Sequence, residues 1–378
     1  MKRILAVLLS LTLICTLIPP AFAQEEVLSI TAPAGLLMDA QTGEILYEKE
    51  ADASRPCASI TKVMTLLLVF EAMEQGKFNL STQLRTSAHA AGMGGSDIWL
   101  EEGECMSVDD LLKATVIMSA NDAAVVLAEG VSGSEAAFVE LMNRRGEELG
   151  MHNTVFKNCN GLDQEGHLTT ARDVALMSRA LIAHEALFQY TTTWMDTLRD
   201  GATQLVNTNR LIKQYQGITG LKTGTTSAAG SCITATATRE GLSLIGVVLG
   251  AESTTNRFQD AATLLDYGFA NWKTAAPKTP DPGELPLIGG MKPTVSVRVP
   301  NAPSIRLPKD AAGEIQTEIQ VKEPLTAPVA QGDILGKVSY SHADSVLAES
   351  PIYAAESVEA ITFSSSFRYL WQDLLRIL

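Results

Sequence analysis

The sequence has 378 residues, of which 46% are hydrophobic, 19% charged and 6% aromatic. That is enough apolar chain for one to three packed domains, and it excludes a disordered, collagen-like or small disulfide-scaffold protein. A formal charge of −14 argues against nucleic acid as a partner, because phosphate binding needs concentrated Lys and Arg.

Taken in chain order, the first element is a leader. Lys2 and Arg3 precede the apolar run Ile4 to Ile18, and Ala21-Phe22-Ala23 follows two prolines. A positive start, a run too short to span a bilayer and an A-x-A site read as a secretory signal peptide over residues 1–23. Cys57, Cys105, Cys159 and Cys232 are widely spaced, without a C-x-x-C pair. Together with the lack of an H-E-x-x-H arrangement, that gives no metal centre, and no cofactor is implied. Four cysteines could pair in three ways; a chain this long needs no bridges, and free thiols are expected.

Residues 24–275 mix strand and helix. Leu36 to Met38 and Ile45 to Tyr47 flank Asp39-Ala40-Gln41-Thr42-Gly43 as a hairpin. Ile60, Val63, Met64, Leu67 and Leu68 make one helix face, which Gly76 stops. Val108 to Glu129 reads as mostly helical around the polar break Ser119-Ala120-Asn121-Asp122, and Ala136 to Leu149 and Ala171 to Ala183 as further helices. Ser231 to Thr238 and Leu242 to Leu249 read as strands, and Phe258 to Phe269 as a closing helix. Strands at both ends with helices between them predict an antiparallel sheet covered by helices.

Proline then marks a change of character. Eleven of the 15 prolines fall between Pro277 and Pro351, and none lies between Cys57 and Ala276. The boundary is expected near Ala275. Residues 276–360 alternate like half-buried strands: Val295, Val297 and Val299; Ile315, Ile319 and Val321; and Leu335 to Tyr340. They read as a small all-β domain. Residues 361–378 carry Phe363, Phe367, Leu370, Trp371, Leu374, Leu375 and Leu378 on one face of a helix. Such a helix suits a membrane surface and is too short and polar to span it.

Three short motifs carry chemistry. Ser59-Ile60-Thr61-Lys62 puts a hydroxyl and an amine on one helical turn. The amine can serve as base for the serine if burial or a second cation lowers its pKa, and the helix N-terminus can offer N–H groups to an oxyanion. Ser119-Ala120-Asn121 supplies a hydroxyl for proton relay and an amide that can orient a lysine and a substrate amide. Lys222-Thr223-Gly224, followed by Thr225-Thr226 and then a strand, can bind a carboxylate. Gly224 would leave a strand edge open to a substrate backbone, and the Thr225 N–H could be a second oxyanion donor. Each motif alone is weak; S-x-x-K arises by chance about once in a chain this long.

In this order they form the set of penicillin-binding proteins and class A β-lactamases. The chain resembles the low-molecular-mass penicillin-binding proteins that are serine-type D-alanyl-D-alanine carboxypeptidases. Gly35-Leu36-Leu37-Met38-Asp39, Gly92-Met93-Gly94-Gly95-Ser96, and Asn160-Gly161-Leu162 with His167-Leu168-Thr169-Thr170-Ala171 extend the resemblance over nearly the whole chain. Alanine at position 120 looks like the variants of spore-forming Gram-positive bacteria.

The resemblance implies an α/β fold, with a β-lactamase-like antiparallel sheet covered by helices and a small all-β domain after it. It implies that Ser59 is acylated by the peptidoglycan stem peptide, with Lys62 as base and Ser119 and Asn121 assisting. Lys222, Thr223, Gly224, Thr225 and Arg257 would bind the terminal carboxylate side of the peptide, and β-lactams would acylate Ser59 in its place. The enzyme would then lie outside the cytoplasmic membrane, attached peripherally by its C-terminal helix. A D,D-endopeptidase would use the same residues. A class A β-lactamase is disfavoured by the lack of an E-x-x-L-N pentad between the second and third motifs. An inactive wall-binding protein is disfavoured by the intact motifs.

Overall fold

The computed structural model describes residues 28–343, 345–365 and 367. The expected signal peptide and most of the expected C-terminal amphipathic segment lie outside them. The organising element is a five-stranded antiparallel sheet built from β1 (Ala34–Asp39), β2 (Ile45–Lys49), β3 (Ile218–Thr226), β4 (Gly230–Arg239) and β5 (Leu242–Ala251), in the order β2-β1-β5-β4-β3. The hairpin between β1 and β2 is set by Asp39, whose Oδ1 accepts from the Gln41 N–H at 2.9 Å and the Thr42 N–H at 3.2 Å. Gly43 closes it at φ +79°, a conformation that favours glycine.

Side chains alternate across the sheet. Leu36, Met38, Val247 and Leu249 join one core with helices α1 (Lys62–Glu74), α3 (Asn121–Ser132) and α5 (Ala171–Leu181). Leu37, Leu244 and Val248 face the other side, against Leu264 and Leu265 of α6 (Thr254–Asn271). Helices α2 (Val108–Lys113) and α4 (Glu135–Glu148) complete the helical layer. Caps start the helices where the sequence offers them: Thr170 Oγ1 accepts from the Asp173 N–H at 3.1 Å and Ser253 Oγ from the Asn256 N–H at 3.1 Å. The expected sheet covered by helices is therefore present.

The C-terminal unit holds β6 (Trp272–Ala275), β7 (Glu284–Pro286), β8 (Thr294–Arg298), β9 (Ile305–Pro308), β10 (Gln316–Val321), β11 (Ile334–His342) and β12 (Ser345–Ala354). A second antiparallel sheet runs β7-β8-β12-β11-β10, and β6 pairs with β9. Strand β6 thus pairs with the C-terminal unit although it directly follows α6. Two details differ from the expected half-buried alternation. Strand β10 is an edge strand exposed on both faces, with Ile319 at 40% exposure, and Val299 and Ile315 lie outside the strands. An edge has a partner on one side only, so its apolar positions are not forced into a core.

Candidate active site

Three elements converge at the β3 edge of the main sheet. Ser59 sits in a 3₁₀ turn, Ala58–Thr61, that runs directly into α1. Ala58 holds φ +51°, a left-handed conformation for a residue with a Cβ. Ser59 is half-buried, and Lys62, one turn on, is fully buried.

An ammonium has three donors, and Lys62 Nζ has three partners. They are Ser59 Oγ at 3.0 Å, Asn121 Oδ1 at 2.5 Å and the Asn160 carbonyl at 2.7 Å. Burial, opposed by weaker attraction to Asp97 and Asp122, brings its pKa down to about 7.

The second element is a distorted helix junction. After α2 the chain makes a π-helical turn, Ala114–Met118, and Ser119 then takes φ +68° before α3 begins at Asn121. This break turns the Ser119 and Asn121 side chains into the site. Asn121 Nδ2 donates to the Gly94 carbonyl at 2.6 Å, and its backbone N–H to the Ser96 carbonyl at 2.6 Å. The first bond settles which amide atom faces Lys62. Gly95, at φ +91°, has no room for a Cβ, which would lie 2.9 Å from Asn121 Nδ2.

The third element is β3 itself. The Lys222-Thr223-Gly224 motif, expected just before a strand, lies inside the edge strand, with Lys222, Thr223 and Gly224 opposite Thr234, Ile233 and Cys232. Lys222 Nζ donates to Ser119 Oγ at 2.8 Å and to the Thr223 carbonyl at 3.0 Å, which leaves one donor for an incoming group. Burial first, then the Lys62 and Arg257 cations, hold its pKa well below the ordinary lysine value. Thr223 Oγ1 donates to Thr208 Oγ1 at 2.7 Å.

A Cβ on Gly224 would stand 2.8 Å from both the Cys57 carbonyl and the Ser59 nitrogen. The glycine is needed because the strand presses on the serine turn. Arg257, in the first turn of α6, donates from Nη1 to the Gly224 carbonyl at 3.0 Å and to Thr225 Oγ1 at 2.8 Å. Its pKa is lowered by burial to about 10.

All nine residues chosen from the sequence therefore meet at one place. Lys62, Lys222 and Arg257 are exposed by 0%, 1% and 5% respectively. Among the described residues, none of the three hydrogen-bonds a carboxylate. Buried basic groups with no carboxylate bonded to them favour an anionic ligand, which would restore their charge.

A family model described as D-alanyl-D-alanine carboxypeptidase matches residues 21–253, and one described as penicillin-binding protein 5, C-terminal domain, matches residues 277–360. The chain belongs to the D-alanyl-D-alanine carboxypeptidase family. It is similar to D-alanyl-D-alanine carboxypeptidase DacF of Bacillus subtilis, with 38% identity over 96% of each chain. It is also similar to the crystal structure of penicillin-binding protein 5 from Haemophilus influenzae, at 30% identity and TM-score 0.74, covering 88% of this chain and 98% of that one. Penicillin-binding protein D2 from Listeria monocytogenes, in its ampicillin-bound form, is 36% identical with TM-score 0.59, covering 64% of this chain and 99% of that one. The protein is a serine-type carboxypeptidase, a hydrolase.

In this carboxypeptidase several contacts have no signature in the motifs. The Asn160 carbonyl is a Lys62 partner through its backbone. The Asn160-Gly161 step was its only trace, since Gly161 takes φ +86° and its Cβ would strike the Ala58 carbonyl at 1.9 Å. Thr208 reaches the site from a distant loop. The four described cysteines are unbridged; Cys57, Cys159 and Cys232 are buried and Cys105 is exposed.

Proposed function

We propose that Ser59 is the nucleophile and Lys62 its base in removal of the terminal D-alanine from peptidoglycan stem pentapeptides. One observation carries the assignment. A neutral Lys62 has two N–H bonds and one lone pair. Asn121 Oδ1 and the Asn160 carbonyl can only accept, so they take the two N–H bonds. The lone pair is then left for the Ser59 hydroxyl, 3.0 Å away. A pKa of about 7 leaves about half of the amine neutral at neutral pH.

Ser59 Oγ attacks the carbonyl carbon of the D-Ala-D-Ala bond, and its proton passes to Lys62 Nζ. The carbonyl oxygen becomes an oxyanion, held by the N–H groups of Ser59 and Thr225. Ser119, bonded to Lys222, gives its proton to the departing amine as the C–N bond breaks and takes up the one held by Lys62, leaving an ester on Ser59 and Lys62 neutral again. Water then attacks the ester and gives a proton to Lys62, which passes it to Ser59 Oγ as the ester C–O bond breaks, and the shortened peptide leaves. Lys222, Thr223, Thr225 and Arg257 hold the terminal carboxylate. That carboxylate returns Lys222 to its charged form, since opposite charges at contact favour ionisation. Gly224 lets the strand and the serine turn approach, and Asn121 orients Lys62 and the peptide. β-Lactams acylate Ser59 in place of the peptide; the ampicillin-bound relative supports this.

Residues 1–23 direct the enzyme out of the cytoplasm, and the segment from residue 361 attaches it to the outer face of the membrane. Among the described residues no helix is long and apolar enough to cross a membrane, while Ile361, Phe363 and Phe367 are 54%, 87% and 58% exposed. Deleting the chain from Phe363 should release the protein from membranes; a truncated protein that still sediments with them would sink the attachment.

The deciding experiment incubates purified protein with a peptide ending in D-Ala-D-Ala and follows free D-alanine, with labelling by a fluorescent penicillin in parallel. Both signals should vanish in Ser59→Ala. Labelling that persists in that variant would overturn the assignment of the nucleophile.

A further inference from the structure

His167 belongs to none of the three motifs, yet it reaches the nucleophile turn. It is 5% exposed and packs edge-on against Phe156, with centroids 5.9 Å apart. Its Nδ1 accepts from the Lys157 backbone N–H at 3.1 Å. A backbone N–H can only donate, so the ring proton of the neutral imidazole sits on Nε2. Nε2 lies 2.8 Å from Thr61 Oγ1 and donates to it. The Thr61 hydroxyl has one proton, which it gives to the Ala58 carbonyl at 2.9 Å. Cys57 Sγ, 3.4 Å from Thr61 Oγ1, must then be a donor to that hydroxyl as well. Burial lowers the His167 pKa to about 4, so the ring is neutral when the enzyme works near neutral pH.

We infer that His167 is a positioning residue for the nucleophile, acting through Thr61 on the carbonyl of Ala58. Three features of the turn make such a tether necessary. Ala58 holds φ +51° immediately before Ser59, a conformation that relaxes unless its surroundings fix it. Behind the turn lies a cavity of about 360 Å³ lined by Pro56, Cys57, Ala58, Gly161, His167 and Ala228. Gly161 presses on the Ala58 carbonyl from that side, and the directional bond from Thr61 adds to that packing. Thr61 also stands between Ser59 and Lys62, and a tilt of its turn would move both reacting groups. The relay runs from the 157–168 loop, through a buried neutral ring with one fixed tautomer, to the peptide that sets the direction of Ser59 Oγ.

This inference rests on Ser59 being the nucleophile, and it is tested on the full chain with two variants that split the two bonds of the ring. In His167→Asn the amide oxygen takes the place of Nδ1, keeping the Lys157 bond and losing Thr61. In His167→Gln the amide nitrogen takes the place of Nε2, keeping Thr61 and losing Lys157. Thr61→Val removes the hydroxyl and leaves His167 in place. The readouts are the rate constant of acylation by a fluorescent penicillin, kcat and KM for D-alanine release, and Tm.

His167→Asn and Thr61→Val should each slow acylation and kcat by roughly 10- to 100-fold, with KM within about twofold. The double variant should lose no more than the worse single one, because both cut the same path. His167→Gln should stay within about threefold of wild type although its Tm falls as far as that of His167→Asn. Equal losses in Asn and Gln, losses that simply follow Tm, or multiplying losses in the double variant would overturn the relay. Thr61→Val decides alone if the His167 variants do not fold. A wild-type protein that takes up no penicillin at Ser59 would instead overturn the nucleophile assignment beneath it.

Discussion

Around Ser59 the carboxypeptidase hides three cations, Lys62, Lys222 and Arg257, at 5% exposure or less. The C-terminal unit does the reverse, leaving Ile288, Ile319, Ile334 and Val346 at 61%, 40%, 50% and 59% exposure. Desolvating an ammonium costs several kcal/mol unless its donors are met and a large apolar core holds the scaffold. The first region has a continuous core reaching from β1 through α1, α3 and α5, and oxygen acceptors for all three donors of Lys62 and two of those of Lys222. The second has two small clusters, one around Val295 and Leu335 and one around Val338, Tyr340 and Ile352. The contrast places the buried basic groups on the region with the larger core.

The sharpest way to break that contrast is to remove the proposed base. Lys62→Met keeps the volume and loses the amine, and should lower kcat by at least about 1,000-fold. Stability should change little, since relief from burying the amine is offset by leaving Asn121 Oδ1 and the Asn160 carbonyl without their donor. In the wild type, acylation of Ser59 should rise as pH rises through about 7, as Lys62 loses its proton. The sign follows from the lowered pKa: burial disfavours the charged form, and only the neutral amine accepts the serine proton. A limb near the ordinary lysine value, with activity still climbing above pH 9, would remove Lys62 from the role of base.

A smaller effect is expected where no functional group is lost. Gly224→Ala adds one carbon, 2.8 Å from two backbone atoms of the serine turn. Neither neighbour is a flexible side-chain tip, so either the strand or the turn must move. A displacement of this size at a nucleophile lowers acylation by about 100-fold. The same substitution at Gly332, where nothing lies within 4 Å, should change stability and leave the rate alone. Equal rates for Gly224→Ala and wild type would mean that the strand and the turn are not in register for catalysis.

The sequence made the framework and the reacting side chains legible to different degrees. Strands β4 and β5 were clear because long apolar runs flank a short polar turn, Arg239-Glu240-Gly241. Strand β3 was not: Ile218-Thr219-Gly220-Leu221-Lys222-Thr223-Gly224 has two glycines, and it is buried on both faces from Gly220 to Gly224. A strand covered on both sides shows no period-2 alternation. The small hairpin Met195–Leu198 with Thr203–Val206 was also missed, being short and largely exposed. Seven of the nine site residues could be read because hydroxyl, amine and amide must be side chains; Gly224 came with its motif and Arg257 with the family resemblance. The Asn160 carbonyl could not, since every residue has a carbonyl. Thr61 and His167 were visible as letters, but their contact joins residues 106 apart in sequence.

The smallest effect is expected where the two regions meet. Arg306 of β9 stands with Nε 3.1 Å from Asp39 Oδ2, an ion pair outside hydrogen-bond geometry, and also pairs with Glu44. Its guanidinium lies 5.6 Å from the Trp272 ring centroid. Asp39 and Glu44 bound the β1–β2 hairpin of the catalytic sheet, so one side chain ties that hairpin to the C-terminal unit. Its side chain is 14% exposed and that of Asp39 3%. Arg306→Ala therefore leaves a nearly buried carboxylate with only its backbone donors, at a cost of about 1–2 kcal/mol. Calorimetry should show the two units melting at more separated temperatures, while acylation of Ser59 stays within about twofold of wild type. A tenfold loss of acylation would mean that the β unit steers the chemistry through the hairpin: β1 pairs with β5, β5 with β4, and β4 with the strand that carries Lys222.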